Sequence, residues 1–289
     1  MTERPAGRDS SATLDNPRAE RVKRIAALAG RSARSKAGLF LVEGPQGVRE
    51  VVRCASARVR DVYLTHDAAS RYPEILAAAY EAALYVHFGT AAVLEAMSPD
   101  CQGVLAVVET AGESLDDVLG ASAYSLRTGE SFAGAPNLVA VLADVRDPGN
   151  AGTVIRAADA AGASLVVLAG ESVDLTNPKV VRSTAGSLFH LPVVRGGSLA
   201  DTVESLRAAG LQVIAADGSG TLTLGDADVD ELLSLPTAWV FGNEAHGLDA
   251  DQLSLADGVV QIPIYGAAES LNLATAAAVC LYASARALN

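Results

Sequence analysis

The sequence predicts an α/β protein built as two domains, and three observations carry that reading. Short β-rich apolar runs alternate with helical stretches from about residue 20 to the C-terminus, the pattern of strands interleaved with helices rather than of an all-α or all-β chain. The alternation fails once, over residues 110–136, where Gly, Ser, Ala and Pro gather without periodicity. A length of 289 residues suits about two domains, and 50% hydrophobic with 19% charged residues describes a chain able to bury a sizeable core.

Residues 1–19 mix Pro, Ser, Asp and Arg without a period and are expected to form a disordered tail. In the first domain, residues 20–109, a short helix at 22–29 precedes four strand-like runs, GLFLVEG, VRDVYLT, LYVHFG and GVLAVVE. Helical stretches separate them at PQGVREVVRCAS, SRYPEILAAAYEAA and TAAVLEAMS, the first with Pro45 where an opening turn tolerates a missing N–H. Residues 110–136 read as a linker with room for a short helix near 114–126. The second domain, residues 137–289, holds stronger runs: LVAVLAD, SLVVLAG, FHLPVV, LQVIAAD, AWVFG and GVVQIPI. Their continuous apolar character predicts a mostly parallel sheet buried on both faces. Gly162 stands where a glycine ends a helix, and Asn177-Pro178 offers an N-cap followed by proline. Connection rules alone favour an unknotted, right-handed, doubly wound sheet.

Composition narrows the function. Cys54, Cys101 and Cys280 lie far apart with no CxxC pair, so neither a disulfide framework nor a thiolate zinc site is indicated. His66, His87, His190 and His246 lack ligand spacing, and no metal is expected. No apolar stretch reaches the ~18 residues of a membrane span and the N-terminus is polar, so the expected location is cytoplasmic with no membrane partner. The Gly-x-Gly-x-x-Gly turn of dinucleotide-binding folds is absent, which disfavours an NAD-type oxidoreductase. The net charge of -12 conceals a segregation: residues 1–60 hold 13 basic against 6 acidic side chains, and the rest of the chain is strongly acidic. A basic arm on an acidic body indicates a nucleic-acid partner. Its densest part is Arg21, Lys23, Arg24, Arg31, Arg34 and Lys36, with few aromatics interleaved for stacking on bases.

Three segments place Gly, Asn, Arg, Glu or Ser where a strand gives way to a loop or helix: DPGNAGTVIRAADAAGA at 147–163, VFGNEAHGL at 240–248 and IPIYGAAESLNLATAAA at 262–278. Taken singly they are ordinary: GNEAHGL is a strand-to-helix turn, Arg156 a surface cation, Asn150 and Ser270 helix caps. Taken together they resemble the SpoU/TrmH family of RNA ribose methyltransferases, with an Asn followed six residues on by Arg (Asn150, Arg156), a GNE/GL loop (Gly242, Asn243, Glu244, Gly247, Leu248) and a Ser-Leu-Asn opening the last helix (Ser270, Leu271, Asn272). The resemblance covers residues 20–109 and 137–289, and implies a deep trefoil knot in the parallel-sheet domain, against the connection rules.

That resemblance implies S-adenosylmethionine as cofactor, held by Val240, Gly242, Asn243, Gly247 and Leu248 of one loop and Ile262, Pro263 and Leu271 of another. It also implies a catalytic set of Arg156, Asn150, Glu244, Ser270 and Asn272. Because the methyl is already activated on a sulfonium, such an enzyme mainly aligns a ribose hydroxyl and excludes water. The family assigns Arg156 the hydroxyl proton, yet a guanidinium is a poor base near neutrality. The alternative is a phosphate clamp, with Glu244 holding the guanidinium and Asn150, Ser270 and Asn272 fixing the site.

RSARSKAGLFLVEGPQGVREVV at 31–52 resembles the ribosomal-protein-like substrate-binding domain of members that modify large-subunit ribosomal RNA, although Cys101-Gln102-Gly103 replaces the usual Pro before Gln-Gly. The resemblance implies RNA contacts at Arg31, Arg34 and Lys36, and Lys179 and Arg182 are rare positive charges in the acidic domain that suit an RNA path. The expected activity is 2′-O-methylation of 23S ribosomal RNA. Alternatives are the same chemistry on transfer RNA, or a non-catalytic ribosome-associated RNA-binding or assembly protein. The helix at 272–288 carries Leu273, Ala276, Ala277, Cys280, Leu281 and Ala285 with Arg286 its only charge, a broad apolar face that a sheet could cover in part; the resemblance implies that it also packs against a second copy, so a homodimer is expected.

Overall fold

A computed structural model describes residues 13–110, 112, 114–120 and 136–288. The expected tail to residue 12 and the linker core at 121–135 lie outside the described residues. Two compact units result, one formed by the chain up to Ala111 together with Asp174–Phe189, the other by Gly112–Val173 and His190 onward.

The first unit is a four-stranded sheet in the order β1 (Leu39–Glu43), β4 (Val104–Glu109), β2 (Val59–Leu64), β3 (Tyr85–Phe88). β4 runs antiparallel to both neighbours, while β2 and β3 are parallel. Alternation along the strands feeds two cores. Phe40, Val42, Ala106 and Val108 join the cluster under helices Gly44–Cys54 and Pro73–Glu81, while Leu41, Leu105 and Val107 join Val22, Ile25, Leu94 and Met97 on the opposite face. The helical stretch beginning at Ser70 is split, because Pro73 has no N–H to continue helix His66–Arg71 and instead opens helix Pro73–Glu81.

The basic segment forms helices Glu20–Ala26 and Arg31–Ala37 with a 3-10 turn between them. Order begins earlier than residue 20. Leu14 N–H donates to the Phe88 carbonyl at 2.8 Å and its own carbonyl accepts from Thr90 N–H at 2.9 Å, so the end of the expected tail pairs with backbone groups at and just beyond the end of β3. The segment Asp174–Phe189 belongs to this unit because Val181 and Phe189 are buried in the Phe40 cluster. Its helix, Pro178–Ser183, starts as expected on Asn177, whose side chain accepts from Lys179 N–H at 3.0 Å.

The second unit is a seven-stranded sheet, β7 (Val193–Arg195), β6 (Leu165–Ala169), β5 (Leu138–Ala143), β10 (Thr237–Phe241), β8 (Gln212–Ala216), β11 (Gly258–Gln261), β9 (Leu222–Thr223). Every pairing is parallel. β5, β6 and β10 are buried at every residue, as their continuous apolar runs require. Two edges differ from expectation. FHLPVV yields only the short β7, since Phe189 closes a 3-10 turn and Pro192 precedes the strand, and the two-residue β9 has no signature. Gly162, at φ +75°, follows the end of helix Pro148–Ala160 as anticipated. Helix Leu273–Leu288 packs on β5, β8, β10 and helix Pro148–Ala160, and is pinned where the buried Trp239 indole donates to the Ser284 hydroxyl at 2.8 Å. Among the described residues no helix is long and apolar enough to cross a membrane.

Candidate active site

The sheet order sets the site. β5, β10, β8 and β11 are consecutive neighbours, so the loops leaving their carboxyl ends lie side by side, where open parallel sheets present their chemistry. Those loops carry Asp144 to Asn150, Gly242 to Leu248, Asp217 with Gly218, and Ile262 to Asn272.

The first loop is held by Asp144, which adopts φ +54° directly after β5. Its carboxylate accepts from Glu171 N–H at 2.7 Å and Gln252 Nε2 at 3.0 Å, and its carbonyl from Asn243 Nδ2 at 2.8 Å. Such a left-handed non-glycine residue is kept only where surrounding bonds enforce it. Asp147 caps helix Pro148–Ala160 by accepting from Asn150 N–H at 2.8 Å. The Asn150 amide is therefore not consumed by capping.

Three side chains from three loops join in one line. Asn272 Nδ2 donates to Asn150 Oδ1 at 3.1 Å, and Asn150 Nδ2 donates to Glu244 Oε1 at 3.2 Å. Glu244 also accepts from the backbone N–H groups of Asp147 at 3.1 Å and Arg146 at 3.3 Å. The Asn272 Oδ1 atom caps the last helix through Ala274 N–H at 2.9 Å, the task that sequence position also suggested for Ser270. Glu244 does not hold Arg156, because its oxygens serve the first loop. Arg156 is exposed and makes no hydrogen bond or ion pair with another described residue.

Asn243 and Gly247 exchange backbone hydrogen bonds at 2.8 and 3.0 Å, which folds the second loop into a tight turn. A Cβ at Gly242 would stand 2.4 Å from the Gly247 carbonyl carbon and 2.7 Å from Leu248 N, so only glycine fits. Beside this turn opens a cavity of about 320 Å³. Of the expected cofactor contacts, Gly242, Asn243, Gly247, Ile262 and Leu271 line it together with Glu244 and Ser270. Val240 and Leu248 do not; they are buried in the sheet core and support the loop from behind, and Pro263 lies outside the lining. Asp217, Gly218, Phe241 and Glu269 line it without having been anticipated. Asp217-Gly218 had one legible signal, its place at the carboxyl end of the LQVIAAD run. His246 lines a separate recess with Asp144, Arg146 and Gln252.

The expected RNA contacts divide. Arg31, Lys36 and Lys179 have no ion pair with described residues, and all three are exposed. Arg34 is buried at 3% exposure: its guanidinium donates to Asp174 at 2.7 Å, Thr176 at 3.0 Å and the Leu28 and Ala29 carbonyls. That bond set holds the Asp174 carboxyl below its usual range despite burial, which acts in the opposite direction. Arg182 pairs with the nearly buried Glu43 and with Asp100 at 3.0 Å. Arg34 and Arg182 are thus committed within the first unit, and neither presents a free guanidinium for a phosphate. Sequence offered no warning, since the side-chain partners of Arg34 lie 140 and 142 positions away.

Residues 137–282 match the SpoU rRNA methylase family and residues 19–106 the MRM3-like substrate binding domain. The chain is 33% identical over 270 residues to a 23S rRNA (guanosine(2553)-2′-O)-methyltransferase of Bacillus subtilis, covering 93% of this chain and 97% of the relative. It is 41% identical over 188 residues to a 23S rRNA (uridine(2479)-2′-O)-methyltransferase of Streptomyces viridochromogenes, covering 63% and 60%. An AdoMet-bound rRNA methyltransferase from Sinorhizobium meliloti superposes with a TM-score of 0.76 at 27% identity, covering 98% of this chain and 99% of that one. The SpoU methyltransferase AviRb from Streptomyces viridochromogenes, in complex with AdoMet, gives 0.73 at 32% identity, covering 93% and 98%.

Proposed function

Because the chain belongs to the SpoU rRNA methylase family, we propose that it uses S-adenosylmethionine to methylate a ribose 2′-hydroxyl of 23S ribosomal RNA in the cytoplasm. The observation that carries this is the line Asn272–Asn150–Glu244 drawn from three loops beside the 320 Å³ cavity.

The cavity suits the cofactor. Its size is that of small-ligand sites, its walls include Phe241, Val260, Ile262 and Leu273 for an aromatic base, and Asp217, Glu244 and Glu269 give it a negative rim suited to a cationic ligand. The Gly242 backbone contact, which a Cβ would destroy, keeps the turn thin enough for backbone groups to meet that ligand. When bound, S-adenosylmethionine supplies a methyl group already activated for attack.

The residues of the chain then supply position. Glu244 fixes the backbone before helix Pro148–Ala160 through the two N–H groups and orients the Asn150 amide. Asn272 holds the other end of that amide and ties it to the last helix. Arg156, exposed and without a partner among the described residues, binds the phosphate next to the acceptor ribose and brings the 2′-hydroxyl into line, and the hydroxyl proton passes late to phosphate or water. Arg31, Lys36 and Lys179 contact more distant phosphates.

We further assign a homodimer and the knotted C-terminus expected for the family. Val279 and Tyr282 remain 39% and 54% exposed on helix Leu273–Leu288, after its other face has packed on the sheet, and a second copy covers them. The test of the activity is mapping of 2′-O-methyl sites in ribosomal RNA from cells with and without the protein. One site should vanish from 23S RNA. Digestion of labelled product should give an alkali-resistant dinucleotide, and label on a free base sinks the ribose assignment.

A further inference from the structure

Within the first unit a groove of about 810 Å³ lies between the two N-terminal helices and the sheet. Four cations line it, Arg21, Arg24, Lys36 and Arg60, against one carboxylate, Asp61. In a chain of net charge -12 that is a local reversal of sign. The carboxylate is already neutralised: Arg21 donates to it at 3.1 Å and His87 Nε2 lies 2.7 Å away, and these partners hold its pKa below the usual range although burial opposes them. Arg21 is itself fixed, donating to the Tyr63 hydroxyl at 2.9 Å and lying 5.4 Å over the same ring. Arg24 and Lys36 make no ion pair with a described residue, and Arg60 rests 3.9 Å from Asp61 and is 60% exposed. The floor between these charges is apolar, made of Ile25, Leu39 and Val107.

Cations around an apolar floor of this size, with Arg24 and Lys36 making no ion pair with a described residue, match one kind of ligand, an unstacked nucleotide of single-stranded RNA with its phosphates at the rim and its base on the floor. An isolated phosphate has no use for the floor, and an intact duplex keeps its bases stacked. Resting on the reading that the substrate is RNA, we infer that this groove is an RNA subsite in which Arg24, Lys36 and Arg60 hold the backbone of a splayed nucleotide.

The test measures binding of a short mixed-sequence single-stranded RNA to the full-length protein across a salt series. The Arg24→Ala, Arg60→Ala double variant should weaken binding and flatten the log affinity against log salt slope by about 0.7 for each lost contact. Ala33→Leu, which adds bulk to a half-buried position in the groove lining, should weaken binding with the slope unchanged, because no charge is removed. The Arg53→Ala, Arg71→Ala pair, exposed in the same unit but outside the groove, should bind as the parent does. Wild-type slope and affinity in the groove variants overturn the subsite, as does equal loss in the Arg53, Arg71 control. Displacement of the RNA by polyglutamate at equal charge overturns the nucleotide assignment in favour of a general anion surface. Methyl transfer by the parent separates the two readings: groove variants that bind RNA normally while the parent methylates ribosomal RNA leave the function standing and remove only the groove.

Discussion

At the scale of single residues, the candidate site is tied together by a few side chains that each make more than one bond. Asn150 has its backbone N–H on Asp147 and its amide between Glu244 and Asn272, so Asn150→Ala removes two links but no cap. Asn150→Ala and Arg156→Ala should both abolish methyl transfer while changing cofactor affinity by less than about tenfold, ~1.4 kcal/mol, as read by calorimetry; Leu271→Asp, in the cavity wall, should weaken the cofactor instead. Gly242→Ala tests the tight turn. A Cβ at 2.4 Å from backbone cannot be relieved by a rotamer change, so overpacking should cost about 1–3 kcal/mol in urea unfolding and lower cofactor affinity together. Full affinity in that variant would show that the turn has room to spare.

Elements raise a different question, what fixes each one in place. Helix Pro178–Ser183 is held partly by Arg182 on Glu43, a carboxylate whose side chain is 5% exposed and which also accepts from the Ser98 hydroxyl. Arg182→Met strands that carboxylate and should destabilise the protein by about 1–3 kcal/mol, less than for a fully buried pair because Arg182 is one-third exposed. Adding Glu43→Gln should recover much of the loss, and a double variant no better than Arg182→Met assigns the cost to packing. Cys280 is buried on helix Leu273–Leu288, and burial pushes its thiol up from 9.0 to about 12. Tyr63 rises from 10.0 to about 12 through burial and then the Asp61 charge. Both groups hold their proton more tightly when folded, so their contribution is complete below pH 9 and is lost as pH rises from about 9 to 12. Each fully active group makes stability fall by up to about 1.4 kcal/mol per pH unit there. Cys280→Ala should flatten the alkaline fall of the unfolding midpoint, and an unchanged slope refutes the assignment.

For the whole molecule, the proposals rest on the segregation of charge between a basic arm and an acidic body and on the exposed part of the last helix. Light scattering at micromolar concentration should give twice the chain mass of 29.5 kDa. Tyr282→Arg with Val279→Asp should return it to a monomer, since both side chains are exposed and the one hydrogen bond given up, from the Tyr282 hydroxyl to the Ala160 carbonyl at 3.4 Å, lies at the surface. Full methyl transfer by that monomer would remove any role for a second copy in building the site.

The strands were legible in the sequence wherever they were buried on both faces, because a continuous apolar run at β5, β6 or β10 has few other uses. The loops of the candidate site were legible for a related reason: they follow such strands directly, and glycine at Gly242 is required by local backbone contact. The tertiary structure alone decided the partners. Whether Arg34 and Arg182 face solvent or a carboxylate depends on Asp174 and Glu43, more than a hundred positions away, and charge read along a chain carries no information about that distance in space. The same holds for Glu244, whose acceptors were free to take Arg156 until the sheet order set β5 beside β10 and brought the N–H groups of Arg146 and Asp147 to it first. Local residue type fixes what a side chain is able to do, and long-range packing decides which of those bonds it makes.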